Sequence, residues 1–227
     1  MIKMTDKHFL IDESNAFYAY TDTSVNSSLL EIHYQSCGIN GIVYGKYIRF
    51  PGKDYFMKEN TKLGLDNRTG ISDFFVDNDH NIYLDDIEAY LQTFSPSTEI
   101  YELRASEHGL LKQKNWELFI PKPRSNSTQT DEKGGLIQLA HGDGIILAQK
   151  LAIQFGLQID ARSGVNLLAA ICLQMMSIKE LTALTLLHGI WNEDQSKELV
   201  YQAESDVSYY SNRITFLEYR VVNEVLM

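Results

Sequence analysis

The residues from Val165 to Met176 are apolar on nearly every side of the helix they would form. A helix apolar all round is buried, so the rest of the chain must cover it. Its flanks say with what. From Asp143 to Phe155, Ile146, Leu147, Leu151 and Phe155 fall at helical spacing, with Ala148 and Ala152 on the same face. Asp143 stands where a carboxylate would cap the free amides and favour the dipole. Gly156 ends that helix, Leu157-Gln158-Ile159 fits a brief strand, and Ser163-Gly164 opens the apolar helix. Leu181 to Leu187 then runs as a continuous buried strand. Upstream, Ile71 to Val76, Glu99 to Arg104 and Trp116 to Ile120 have strand character, and polar Pro121 to Gly135 reads as an exposed connection. Strands alternating with helices predict an α/β fold with a mostly parallel sheet flanked by helices. The expected division is an α/β domain over 1–196, with an insert at 43–70, and a helical extension over 197–227.

Composition narrows the partners. With 227 residues, 44% apolar and 22% charged, the chain is long enough for one substantial core. A formal net charge of −10 opposes nucleic-acid phosphates and acidic membrane surfaces, so neither is an expected partner. No apolar run is long enough for a signal peptide or a bilayer span, and Cys37 and Cys172 read as free buried thiols. Asn26, Asn67 and Asn126 begin glycosylation triplets that mean nothing without secretion. The expected location is the cytoplasm.

One segment carries calcium-ligand spacing. Asp77, Asp79, Asn81, Tyr83 (through its carbonyl), Asp85 and Glu88 occupy positions one, three, five, seven, nine and twelve of an EF-hand loop. Ile82 stands where the sharp turn calls for glycine, and a β-branched residue there is penalised. No second such loop follows. The preferred reading is that these acids cap a helix beginning near Leu84, with calcium kept as an alternative. His80, His108, His141 and His188 lack partners at zinc-ligand spacing, and His33 reads as structural.

The run Asp143 to Ala170, with its Ala161-Arg162-Ser163-Gly164-Val165-Asn166 segment, resembles the late helix–strand–helix unit of the cysteine synthase and cystathionine β-synthase family. That family's pattern ends in Gly-Ile-Ser-Ser-Gly-Ala-Asn. Asn26 through His33-Tyr34-Gln35-Ser36-Cys37-Gly38 is similar to its Asn-Pro…His-x-x-Thr-Thr-Gly segment. Ile71 to Arg104 is similar to its strand, glycine-rich loop, helix, Asn-Pro turn (here Ser95-Pro96) and next strand. The resemblance implies the large-domain portion of the tryptophan synthase β-like fold, which holds pyridoxal phosphate. It also implies losses. The Schiff-base lysine belongs to a part that this sequence is expected to lack. Asp77, Asp79, His80, Asn81, Ile82 and Tyr83 stand where bare glycine amides would cradle the phosphate. His188 replaces the serine beside the pyridine nitrogen, and Asp160-Ala161-Arg162-Ser163-Gly164 replaces the last glycine-serine motif. The vestigial cleft is therefore expected at Asp77, Asp79, Asn81, Ile82, Tyr83, Arg162, Ser163, Gly164 and His188. Asp143 and Asp160 are further candidates for its lining, and Arg162 would fill it or pair with Asp77 or Asp79.

No catalytic residue, cofactor or metal is expected on this reading; pyridoxal phosphate would need a partner to supply the missing site. The expected function is that of a non-catalytic relative acting through protein contacts, as a homodimer or with a complete pyridoxal-phosphate enzyme. The alternatives are half of a β-replacement enzyme completed by a lysine-bearing chain, and a small-ligand or calcium binder. Two segments offer contact surfaces. Tyr44, Tyr47, Phe50, Tyr55 and Phe56 alternate with Lys46, Arg49, Lys53, Lys58, Lys62 and Arg68, either as a basic aromatic surface or as a hairpin packing its own aromatics. Val207, Tyr210, Ile214, Leu217 and Val221 recur at three and four, predicting an amphipathic helix that packs on its own domain or forms a dimer seam.

Overall fold

The computed structural model describes residues 27–48, 73–77, 97–107, 114–119, 136–177, 181–190 and 210–222. They form a mixed sheet of eight strands with two helices packed on it. The strands are β1 (Ser27–Ser36), β2 (Ile39–Ile48), β3 (Asp73–Asp77), β4 (Glu99–Glu107), β5 (Lys114–Phe119), β6 (Leu136–Ala140), β7 (Ala183–His188) and β8 (Ile214–Val222). The helices are α1 (His141–Phe155) and α2 (Ala161–Met176). In the sheet the strands lie in the order β6-β5-β4-β3-β7-β2-β1-β8.

The parallel part is the centre. β7 runs parallel to both β2 and β3, and β3 parallel to β4. Antiparallel strands extend it on both sides: β5 and β6 beyond β4, β1 and β8 beyond β2. Every residue of β7 is buried, which explains a run of Ala, Leu and Thr without polar alternation. β1 instead alternates: Leu30, Ile32 and Tyr34 are buried, while Glu31 and His33 are only partly so. The β1–β2 connection is two residues, Cys37 at φ 51° and Gly38 at φ 81°. Turns of that hand match the twist of antiparallel strands, and they place Cys37 at an exposed tip rather than in the core.

α2 lies on β7, β3 and β2, and α1 crosses over α2. Leu147, Ala148, Leu151, Val165, Leu168 and Ala169 share one core with Ile32, Val43, Ala183 and Leu187. α1 starts where β6 ends, and its last turns reach β8 on the opposite edge. There Lys150 Nζ donates to the carbonyls of Ser211 and Ile214, each at 2.7 Å, and Gln154 Nε2 donates to that of Phe216 at 2.7 Å. Phe155 meets Tyr219 edge-on, with ring centroids 5.4 Å apart. Tyr34 hydroxyl donates to Gln174 Oε1, and the Gln174 amide donates to the carbonyls of Ile42 and Leu181, tying the end of α2 to the sheet just before the β2–β7 ladder begins.

Several expectations change here. The stripe at Tyr210, Ile214, Leu217 and Val221 is not helical: a short 3-10 turn, Ser211–Arg213, leads into β8, which pairs with β1. Ile-Thr-Phe-Leu-Glu-Tyr-Arg-Val-Val is rich in β-branched and aromatic residues, and β1 offers it a ladder. Asp143 is not the N-cap of α1. The helix begins two residues earlier, directly off β6, with Ala140 as cap and Asp143 buried in the first turn. α2 starts at Ala161 rather than beside Gly164, capped by Asp160. Leu157 to Ile159 supplies only one bridge, Ile159 to Gly189. Lys46, grouped in sequence with a solvated basic stretch, is buried within β2. The 49–70 part of the insert lies outside the described residues, as do Ser95-Pro96 and the stretch following Asp77.

Candidate functional site

In parallel sheets, ligands are met beyond the carboxyl ends of the strands, where helices begin. Here β2, β7 and β3 end side by side. Ile48 is level with His188, and Asp77 falls two residues beyond the last ladder pair, Phe75 with Thr185. α2 runs back along β7, so its first turn stands at this same edge. Two hydrogen bonds fix it there: the Asp160 amide donates to the His188 carbonyl at 2.9 Å, and the His188 amide donates to the Ser163 side-chain Oγ at 2.7 Å. Tyr47, from β2, reaches over the edge and donates its hydroxyl to the Gln158 carbonyl at 3.3 Å.

Residues read from three separate stretches are thus brought together. Asp77 ends β3, Arg162, Ser163 and Gly164 form the first turn of α2, and His188 ends β7. Asp79, Asn81, Ile82, Tyr83, Asp85 and Glu88 lie outside the described residues, as do Arg49, Phe50, Tyr55, Phe56 and Val207. Tyr47 belongs to this edge. Tyr210, Ile214, Leu217 and Val221 do not: they lie on or beside β8, three strands from β7.

The chemistry of the edge follows from how α2 begins. Asp160 is buried, and its Oδ1 accepts from the Ser163 amide at 2.8 Å, while its carbonyl accepts from the Gly164 amide at 3.1 Å. A buried carboxylate at a helix N-terminus is favoured by the dipole and satisfies an otherwise orphaned amide. It also places negative charge where an anionic ligand would seek positive. Gly164 does not open the site either. A methyl group there would overlap the Gly144 carbonyl oxygen and stand 2.7 Å from its carbon, so this glycine lets α1 and α2 touch backbone to backbone. Arg162 is half-buried in the same turn and is the one cation at this edge among Asp160 to Gly164. These residues do not fit a phosphate cradle: the Ser163 and Gly164 amides already bond to Asp160, whose carboxylate occupies the start of the helix.

Sequence reasoning placed Asp160 only as possible lining. The signal that identifies it is Asp-x-x-Ser directly before an apolar helix, the pattern of an N-cap serving the third residue. A second buried polar group, Asp143, lies in the first turn of α1. Burial, and after it the nearby Asp143 carboxylate, pushes the Cys172 thiol up to about 12. Burial and then Cys172 push the Tyr34 hydroxyl to about 12. Both groups are therefore neutral at physiological pH and belong to the core. Among the described residues, no three His, Cys, Asp or Glu side chains converge as a metal site, and no helix is long and apolar enough to cross a membrane.

No family profile and no curated protein matches this chain. Among solved structures it is similar to the hydrogen sulfide-producing enzyme Fn1055 from Fusobacterium nucleatum, at 22% identity over 76% of this chain and 53% of that one, with a TM-score of 0.46. A D232N mutant of the same enzyme, complexed with an α-aminoacrylate intermediate and lysine-dimethylated, matches at 22% identity over 74% of this chain and 52% of that one, with a TM-score of 0.48. The chain spans about half the length of these structures.

Proposed function

We propose that this chain is a non-catalytic protein on a cysteine synthase-like α/β scaffold, acting through contacts with other proteins rather than through bound pyridoxal phosphate. One observation carries the reading: the first turn of α2, where it meets the end of β7, is bonded and packed by the chain's own groups. Asp160 takes the Ser163 amide, Ser163 takes the His188 amide, and Gly164 is packed against Gly144. A phosphate brought to this turn would meet a buried carboxylate, with Arg162 as its nearest counter-charge in the turn. The sequence around Asp77 supports the same view, since Asp79, Ile82 and Tyr83 replace residues that a dianion would need to be small and uncharged.

The test is an absorbance spectrum of the purified chain with and without added pyridoxal phosphate, recorded again after desalting. The expected spectrum keeps no cofactor band. An internal-aldimine band that survives desalting would overturn the proposal.

A further inference from the structure

We propose that His33 is a proton-operated clamp between β1 and β8, which fastens the second half of β8 when its imidazole takes up a second proton and loosens it when that proton leaves. The inference goes beyond the protein-contact reading and does not depend on it. Glu31 and His33 stand on the face of β1 opposite Ile32 and Tyr34, hence away from α1 and α2. In the ladders His33 is level with Glu218 of β8, and Glu31 is level with Arg220 of β8 and Tyr44 of β2. Cross-strand neighbours of this kind bring their side chains within reach of one another.

The contacts run as one chain across three strands. The Tyr44 hydroxyl donates to Glu31 Oε2 at 3.5 Å, and His33 Nε2 lies 2.5 Å from Glu31 Oε1. Burial, then the Glu31 carboxylate, raises the Tyr44 hydroxyl above its ordinary range, so it remains a donor at neutral pH. An ionised carboxylate only accepts, so Nε2 is the nitrogen that carries hydrogen in the neutral ring. Nδ1 is then a bare lone pair, and it faces Glu218 Oε1 at 3.9 Å. Acceptor faces acceptor there, and no bond can form. A second proton turns Nδ1 into a donor and sets a positive ring between two carboxylates on adjacent strands. Glu218 is half-exposed, so its carboxylate can turn to close the remaining gap.

Arg220 is the competing charge. Its Nη2 donates to the same Glu218 Oε1 at 2.6 Å, along the strand rather than across it, and a carboxylate oxygen has lone pairs for both partners. Among the described residues, Glu31, Tyr44, Glu218 and Arg220 are the charged or titratable groups facing His33, and the residue level with it on β2 is Ile42. The clamp sits at a weak point of the ladder. Register between β1 and β8 shifts between His33 and Tyr34, so His33 with Glu218 is the last regular pair before the irregularity. Lys150 and Gln154 of α1 hold Ser211, Ile214 and Phe216, and the clamp acts on the half that those bonds do not reach. Linkage fixes the sign. A group that binds its proton more tightly with β8 docked stabilises docking at low pH, and that contribution is lost as pH rises through the imidazole range, about 5 to 8.

The experiment is hydrogen–deuterium exchange of the full chain at about pH 5.5 and about pH 8, with rates corrected for the intrinsic pH dependence of exchange. Protection of Glu218 to Val222 is read against that of Leu167 to Leu173 in α2. Wild type is expected to lose about three- to fivefold of this relative protection from the lower pH to the higher, the scale of a partly exposed ion pair. The chain has six histidines, so two variants isolate this one. His33→Gln keeps an amide donor and cannot titrate, while Glu218→Gln keeps an acceptor and removes the charge. In both, the pH response of β8 is expected to vanish, with far-UV circular dichroism confirming that each variant folds. Equal relative protection at both pH values in wild type overturns the proposal, as does a response that persists in His33→Gln or in Glu218→Gln.

Discussion

Replacing Gly164 by alanine separates a structural glycine from one reserved for a ligand. The added methyl would overlap the carbonyl oxygen of Gly144 and come within 3.0 Å of its α-carbon. Both obstacles are backbone, so no side chain can swing aside; α1 and α2 must move apart. α1 is not free to drift, because Lys150 and Gln154 hold it to the start of β8. Overpacking of this kind costs about 1–3 kcal/mol, and a clash with backbone belongs at the upper end. Alanine returns about 1 kcal/mol of helix propensity. The net expectation is a loss of about 2 kcal/mol. With a urea dependence of about 2 kcal/mol per molar, the midpoint of unfolding followed by circular dichroism should fall by about 1 M. Gly144→Ala should behave alike, since its methyl would lie 2.6 Å from the Ala161 carbonyl oxygen. The double variant should cost less than the sum, because helices already separated by one methyl have room for the other. Gly156→Ala is the control: nothing lies within 4 Å of the added methyl, and only its φ of 70° opposes the change, at about 1 kcal/mol. Undiminished stability in Gly164→Ala would refute the helix-crossing argument and return the glycine to the ligand reading.

Two further predictions probe the α1–β8 contact and the core. Lys150→Met removes the donor to the Ser211 and Ile214 carbonyls, a loss of about 2 kcal/mol felt locally, so amide exchange in β8 should accelerate tenfold or more; unchanged protection would mean that β1 alone holds the strand. Tyr34 and Cys172 both titrate near 12 when folded, against ordinary values of 10.0 and 9.0, so the unfolded chain loses these protons first and stability should fall as pH rises from about 9 towards 12. The loss should reach a few kcal/mol and be smaller in Tyr34→Phe, read from urea melts at pH 8, 10 and 11; a flat profile for wild type would show that neither group is held neutral by burial.

Much of the secondary structure is set by short-range pattern. The apolar period over Asp143 to Phe155, the helix through Val165 to Met176, the αL stop at Gly156 and the strands at β3, β4, β5 and β7 are all encoded in short-range pattern. The candidate edge was legible in part: Arg162, Ser163, Gly164 and His188 were singled out from separate segments, and the fold sets them at the carboxyl edge where β3 also ends. Their roles were not legible. Gly164 is explained by Gly144, twenty residues away, and Ser163 by the amide of His188, which only the packing of α2 on β7 brings within 2.7 Å.

The C-terminal stretch marks the boundary most clearly. Ile214, Leu217 and Val221 fit a helical stripe, yet Ile214 and Phe216 equally fit one face of a strand, and a stretch this short satisfies both periods. Local sequence determined that these residues would be amphipathic. Tertiary structure decided how, because β1 presents an open ladder on one side and α1 presents Lys150 and Gln154 to the carbonyls of the first half. A backbone segment takes the form in which its own hydrogen bonds are satisfied, and for β8 those partners lie elsewhere in the chain.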